Sequence, residues 1–255
     1  VEQKVTELEA DPNVEYAEPN YIRYPVTIDT NDTYKTDMWA LDNTGQTVGG
    51  ITGTADADMD APEAWELYNL QGDGTPVIVA VLDTGVSYNH PDLLANMWDG
   101  SSCVDKSGNP LGSCNYGYDF ENNDKTPIPG AGDIQDAYSR THGSHVAGIV
   151  GAVRNNSEGM LGIAVDVDIM ALRSGLTAAQ NADGIDFAIE NGAKVVNASY
   201  GGTSYSQTEK DAITRLRTAG GIFVAAAGNG GEDQVGGIVP GDQKAQGVLC
   251  HFSRQ

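Results

Sequence analysis

Residues 77–85 read VIVAVLDTG, and this stretch restricts the possible folds more than any other. Five of its first six residues are Val, Ile or Leu. With no polar alternation, the run predicts a strand buried on both faces, as in a parallel sheet covered by helices. It ends in Asp83, followed by Thr84 and a turn-capable Gly85. A carboxylate is thus delivered at the strand's carboxyl end, the edge where open α/β sheets bind ligands. An acid held there by a rigid strand can orient and charge-stabilise a catalytic partner.

The rest of the chain supports such a sheet. From Pro76 the pattern is regular. A helical start at His90-Pro91-Asp92-Leu93-Leu94 is followed by a loop rich in Gly, Asn, Asp and Pro from Asp99 to about Gly132. A small-residue helix then spans His142–Val153, and a loop runs from Arg154 to Gly159. Strands are predicted at Val167–Leu172, Val195–Ser199 and Ile222–Ala227, alternating with helices at Ala178–Asn191 and Ser206–Ala219. Alternation of this kind implies right-handed crossovers and a three-layer α/β/α domain with a mostly parallel central sheet. Ahead of it, Val1, Val5 and Leu8 mark a short amphipathic helix ended by Asp11-Pro12. Val14 and Tyr16 then alternate as in a strand. A polar, turn-rich stretch reaches Gly53, and a helix is expected from Ala61 to Leu70, with Pro62 in its first turn. Residues 236–255 have no helical or strand period.

The balance of 14 Lys and Arg against 36 Asp and Glu, a formal net charge of −22, argues against nucleic acid or an anionic membrane as partner. A solvated acidic surface is the simpler meaning, with a mild preference for basic substrates as its companion. No apolar run is long enough to span a bilayer. The polar N-terminus carries no signal peptide and no initiator Met, which suggests a fragment. Of the three cysteines, Cys103 and Cys114 bracket a Gly/Asn/Ser/Pro loop that a bridge would staple, as suits an oxidising compartment; two free thiols are the alternative.

The natural partner for Asp83 is His142, in HGSHVAGIVGAV. Gly143, Ala147, Gly148, Gly151 and Ala152 give that helix a face that other backbone can approach closely. A carboxylate bonded to one ring nitrogen fixes the tautomer and stabilises the imidazolium, so the other nitrogen can take a proton from a nucleophile. His142 and His145 also have the spacing of a metal pair, but a catalytic zinc would want a further ligand on that face. Ala226-Ala227-Gly228-Asn229 ends another strand, where a carboxamide can donate to a developing oxyanion. Ser199-Tyr200-Gly201-Gly202 ends its neighbour and offers a free backbone edge to an extended peptide.

In order, Asp83-Thr84-Gly85 with His90-Pro91-Asp92-Leu93, His142-Gly143-Ser144-His145-Val146-Ala147-Gly148, Ser199-Tyr200-Gly201-Gly202 and Ala226-Ala227-Gly228-Asn229 resemble the successive signatures of the subtilases, the subtilisin-like serine endopeptidases. The resemblance implies hydrolysis of extended polypeptide substrates by an Asp-His-Ser triad. Asp83 would orient, His142 would act as general base and then acid, and Asn229 would donate to the oxyanion. Ser199, Tyr200 and Gly201 would line the substrate cleft, and Ala226, Ala227 and Gly228 would wall the primary specificity pocket. Structural calcium is implied as well. Asp32, Asp92 and Asn156 match the side-chain ligands of the family's tight site, with carbonyls of Arg154, Glu158 and Met160 completing the shell. Asp119 and Asp124 match a second, weaker site.

The resemblance also divides the chain. Residues 1–23 look like the end of an inhibitory propeptide, which makes the chain's own propeptide a partner. Residues 24–235 look like the N-terminal part of the peptidase domain, and residues 236–255 form a tail unlike the family. A secreted monomer is expected. The family's Gly-Thr-Ser nucleophile motif does not occur after Asn229, and Ser253 has neither the glycine nor the helix. The reading is therefore of a chain truncated before its serine and inert as it stands. The alternative is a catalytically dead peptide-binding domain. An aspartic protease would need a second Asp-Thr-Gly and an all-β fold, and a dinucleotide-binding domain would need Gly-x-Gly-x-x-Gly after the first strand.

Overall fold

The computed structural model describes residues 2–19, 30–71, 74–130, 137–202, 204–226 and 248–250. Helix α1 (Glu2–Glu9) comes first, then strands β1 (Thr47–Val48) and β2 (Ile51–Thr52), paired as an antiparallel hairpin, and helix α2 (Ala61–Gln71). Strand β3 (Val77–Asp83) opens the regular part. Short strands β4 (Cys103–Val104), β5 (Pro110–Gly112) and β6 (Gly117–Asp119) follow, then helix α3 (Ala137–Gly151) and strand β7 (Val167–Arg173). Helix α4 (Ala178–Glu190), strand β8 (Val195–Ala198), helix α5 (Gln207–Thr218) and strands β9 (Ile222–Ala226) and β10 (Val248–Cys250) complete the order.

Six strands form one sheet in the order β10-β9-β8-β3-β7-β6, and every pairing in it is parallel. β3 lies inside it, with β7 on one side and β8 on the other. Its residues Ala80–Asp83 are all buried, as the uninterrupted apolar run requires. Side chains alternate between the two faces with the strand's period of two. Ala80, Leu82, Met170 and Leu172 pack with Ile185, Phe187 and Ala188 of α4 and with Ala212 and Leu216 of α5. Val79, Val81, Ile169 and Ala171 pack on the other face against Ala147 of α3, Leu93 and Met97. Each fully buried aliphatic residue contributes roughly 1.5–3 kcal/mol. Two filled faces therefore hold the carboxyl end of β3 firmly. The predicted three-layer α/β/α arrangement is present.

The helices begin where capping chemistry directs. The Thr177 side chain accepts a hydrogen bond from the Gln180 N–H at the start of α4, and Ser206 accepts one from Glu209 at the start of α5. Four expectations need correction. Residues 14–19 form no strand; the Val14/Tyr16 alternation has no neighbouring strand to pair with among the described residues. His90–Leu94 makes turns leading into a single 3-10 turn at Leu94–Asn96, not an α-helix. The stretch read as loop from Asp99 contains β4, β5 and β6. Within residues 236–255, Val248–Cys250 is a strand beside β9, with Val248 opposite Val224 and Cys250 opposite Ala226. Cys103 and Cys114 are joined by a disulfide across the β4–β5 hairpin, with both residues buried. No helix among the described residues is long and apolar enough to cross a membrane.

One buried charge ties the sheet edge to its centre. Arg173 ends β7 directly opposite Asp83 and is 1 % exposed. Its guanidinium reaches Asp119 Oδ2 at 2.5 Å and Glu121 Oε2 at 2.6 Å. Removing one partner of a buried pair leaves the other charge uncompensated, which costs about 3–5 kcal/mol. Arg173→Met is therefore expected to destabilise the fold by about that amount, read as a lower urea midpoint at unchanged slope.

Candidate active site

Asp83 is 1 % exposed and its Oδ1 accepts two hydrogen bonds. The Thr84 backbone N–H donates one at 2.7 Å, and His142 Nδ1 lies 2.7 Å away on the same oxygen. A carboxylate only accepts, so the proton in that contact sits on Nδ1, and Nε2 is left as the basic nitrogen. The hydrogen bond to Asp83 raises the His142 pKa above the ordinary histidine range; burial partly offsets this, and the Asp83 charge adds to the rise.

The contact exists because α3 comes unusually close to the end of β3. A Cβ on Gly143 would stand 2.3 Å from the Gly85 carbonyl oxygen and 3.1 Å from Asp83 Cβ, so no larger residue fits. Around it the Gly143 N–H donates to Thr84 Oγ1 at 3.2 Å, and the Ser87 N–H donates to Ser144 Oγ at 2.9 Å. These bonds stitch the first turns of α3 to the segment that leaves β3. His142, half-buried, lines a cleft of about 380 Å³ with His90, Leu93, His145 and Met160. His145 is exposed. Among the described residues, no group of three or more His, Cys, Asp or Glu side chains is arranged to hold a metal ion.

The other expected residues fall in four groups. Ser199, Tyr200 and Gly201 leave the carboxyl end of β8 beside Asp83; Asn197 Nδ2 donates to Ser199 Oγ at 2.9 Å, and Gly201 is exposed. Ala226 is the last residue of β9, whereas Ala227, Gly228 and Asn229 lie outside the described residues. Asp32 and Asp92, both buried, meet the loop 154–160. Asp32 accepts from the backbone N–H groups of Asn155 and Asn156 at 3.1 and 3.3 Å. Asp92 accepts from Asn156 Nδ2 at 2.7 Å and from the Met160 N–H at 3.0 Å. Gly159 lets the loop turn over Asp92, since a Cβ there would lie 2.1 Å from its Oδ2. Glu158 is exposed, and the Arg154 guanidinium stacks 3.9 Å over Trp65.

Asp119 and Asp124 face each other across an isolated bridge. The Asp119 carboxylate is filled by Arg173, by the N–H groups of Glu121 and Asn122 and by the Asn122 amide. Asp124 accepts from the Thr126 N–H at 2.7 Å. Sequence reasoning missed Arg173, and it missed a buried polar chain behind the site. There Ser174 Oγ donates to Asn181 Oδ1 at 2.7 Å, and Asn181 Nδ2 donates to Glu209 Oε1 at 2.8 Å. The Ser206-x-x-Glu209 cap was the only local signal for Glu209.

An acid at the end of a central parallel strand, holding an imidazole on a glycine-fitted helix, makes a carboxylate–imidazole pair at the switch point of an open α/β sheet. The chain belongs to the subtilase family, whose family model matches residues 74–251. It is 37 % identical to thermitase of Thermoactinomyces vulgaris over 68 % of this chain and 53 % of that one. It is 36 % identical to a thermophilic serine proteinase of Bacillus sp. strain AK1 over 91 % of this chain and 48 % of the other. The chain thus spans about half the length of these relatives. Among solved structures, a protease of Pseudoalteromonas arctica PAMC 21717 superposes with a TM-score of 0.57 at 30 % identity, over 78 % of this chain and 59 % of that one.

Because the folded His142 pKa is raised, its charged form stabilises the fold. That contribution is complete below the ordinary histidine pKa and disappears as pH rises through the folded value. Melting curves of the wild type and His142→Gln should differ most at acid pH and converge as pH rises through the neutral range. A gap that widened with pH would contradict the pairing.

Proposed function

We propose that this chain carries the acid and base of a secreted, monomeric serine endopeptidase that cleaves extended polypeptides. The 2.7 Å contact between Asp83 Oδ1 and His142 Nδ1 is the observation that carries the reading. In this scheme His142 Nε2 takes the proton of a serine hydroxyl as that oxygen attacks the peptide carbonyl. Asp83 stabilises the imidazolium, and the same proton then passes to the departing amine. Asn229 donates to the oxyanion. The edge Ser199-Tyr200-Gly201 pairs with the substrate backbone, and Ala226, Ala227 and Gly228 wall the pocket for its side chain. Residues 1–23 are read as the end of an inhibitory propeptide and residues 24–235 as the peptidase part, whose sheet the strand Val248–Cys250 joins. The serine whose hydroxyl His142 would deprotonate is left unassigned.

The test is turnover of a blocked peptide by the protein in its natural full length. The wild type should cleave, and His142→Ala should lower its kcat by on the order of 10⁴-fold or more. Undiminished turnover by that variant would sink the proposal.

Structural calcium is part of the same reading. Asp32 and Asp92 bring two buried carboxylates to one short loop, both bonded to Asn156, and the nearby cation is Arg154, whose own charge burial disfavours. Buried carboxylates with amide and carbonyl oxygens around them fit a hard cation. Asp32, Asp92, Asn156 and the carbonyls of Arg154, Glu158 and Met160 would hold it, and bound calcium would neutralise the two acids. At the second location Asp119 is already matched by Arg173, so we assign calcium to the first. Excess chelator should lower Tm by roughly 5–10 °C for a site held at about a hundred times its dissociation constant. An unchanged Tm would rule against the site.

A further inference from the structure

Glu209 sits in the first turn of α5, on the face that carries Ala212, Ile213 and Leu216 into the core. It is 9 % exposed, and its Oε1 accepts from Asn181 Nδ2 at 2.8 Å. Asn181 is itself held by Ser174 Oγ at 2.7 Å, so the carboxylate stands in a fixed place. The first turn of a helix favours a negative charge but brings no counter-ion. Among the described residues no cation pairs with Glu209: Arg173 is committed to Asp119 and Glu121, and Arg215 to Asp186. Its Oε2 accepts no hydrogen bond from them either and is not sealed from the surface. Acids this deeply placed are ordinarily paired.

A second unsatisfied group points to the same place. The Tyr200 hydroxyl is buried and has no hydrogen-bond partner among the described residues. Alternation along β8 puts Val196, Ala198 and then Tyr200 on the α4/α5 face. Tyr200 packs there against the cluster that holds Ile185, Ala212 and Leu216. Asp83 follows Val79 and Val81 on the opposite face, with α3. Burial holds the Tyr200 pKa well above the usual tyrosine range, and Glu209 is the first charge that adds to the rise. Tyr200 also belongs to the stretch Ser199–Gly202, read above as the edge that pairs with the substrate backbone, and its neighbours Gly201 and Gly202 are exposed. A peptide laid along that edge has the Glu209 carboxylate beneath it.

We infer that Glu209 and Tyr200 form a second specificity subsite, which takes a lysine or arginine side chain of the substrate. The cation donates to Glu209 Oε2 and to the phenol oxygen, satisfies both, and supplies the counter-charge that the fold does not. Its stem lies along the Tyr200 ring, a surface that suits a cation as well. The side chain at the cut bond goes to the pocket of Ala226, Ala227 and Gly228, so the subsite reads another residue of the same peptide. The inference deepens the peptidase reading proposed above and rests on it.

The test is cleavage, by the protein in its natural full length, of blocked peptides that carry either lysine or norleucine at one position. That position is moved in turn along the residues around the cut bond. Norleucine keeps the lysine stem and removes the ammonium. At one position, not that of the cut bond, the wild type should favour lysine roughly tenfold or more in kcat/KM, the weight of a hydrogen bond to a charged group. Glu209→Gln keeps the shape and the bond from Asn181, and should bring that ratio close to one. A ratio unchanged in Glu209→Gln overturns the subsite. So does a lysine preference spread evenly over all positions, which reports only the acidity of the whole surface. Peptides cleaved with no lysine preference overturn the subsite and leave the peptidase standing, whereas no cleavage of any peptide removes both. Should Glu209→Gln fail to fold, the wild type decides. Acetylating the lysine at the favoured position should lower kcat/KM as far as norleucine does, and acetyl-lysine cleaved as fast as lysine overturns the inference.

Discussion

Everything at this site depends on the approach of α3 to the end of β3. The Gly143 backbone lies against the Gly85 carbonyl with no room for a side-chain atom between them. A helix held that near places the preceding side chain, His142, directly on the carboxylate that β3 carries. The strand cannot yield to make the contact easier, because both of its faces are packed. Nor can the turn after it, which is bonded to α3 through Thr84 and Ser144. The pair is therefore preorganised: strand, turn and helix are each fixed by contacts that do not involve the imidazole, and the hydrogen bond costs little ordering when it forms.

The molecule is strongly acidic, yet its buried acids are each neutralised or satisfied by different means. Asp83 uses an imidazole and a backbone N–H. Asp119 uses a guanidinium and loop amides. The Glu209 carboxylate, in the first turn of α5, accepts from the Asn181 carboxamide. Asp32 and Asp92 rely on amide donors of a single loop. Neutral donors leave the formal charge in place, which is why the last pair suits a bound cation and Asp119 does not. The same reasoning separates Arg173 from the catalytic pair even though it ends the neighbouring strand: its charge is already spent on two carboxylates.

How much of this was legible beforehand follows from what periodicity reports. Val77–Leu82 announced a strand covered on both sides, Asp83 was recognisable because it closes that strand, and His142 because it precedes a run of small residues, although α3 begins at Ala137 rather than at His142 as expected. Periodicity reports which faces are buried, not what lies opposite. Val14 and Tyr16 alternate like a strand but find no partner strand among the described residues, whereas Val248–Cys250, only three residues long, carries too little pattern to be seen and yet pairs with β9. The Ser174–Asn181–Glu209 chain and the Asp119–Arg173 pair were invisible for a related reason. Their members are scattered over three or two elements, and only the crossovers bring them together.

The strand order also explains why Asp83, His142 and the Ser199–Gly202 stretch meet at this point of the sheet. After β3 the chain builds β6 and β7 on one side and then returns to build β8 and β9 on the other. Connections therefore diverge from the carboxyl end of β3. The acid comes from the central strand, the base from the helix on one face, and the extended Ser199–Gly202 edge from the first strand beyond the reversal. Each is supplied by a separate connection, so the loops between them can vary in length without moving the Asp83–His142 contact. The apolar layers under β3 decide its geometry, and they lie entirely within the elements that flank the switch.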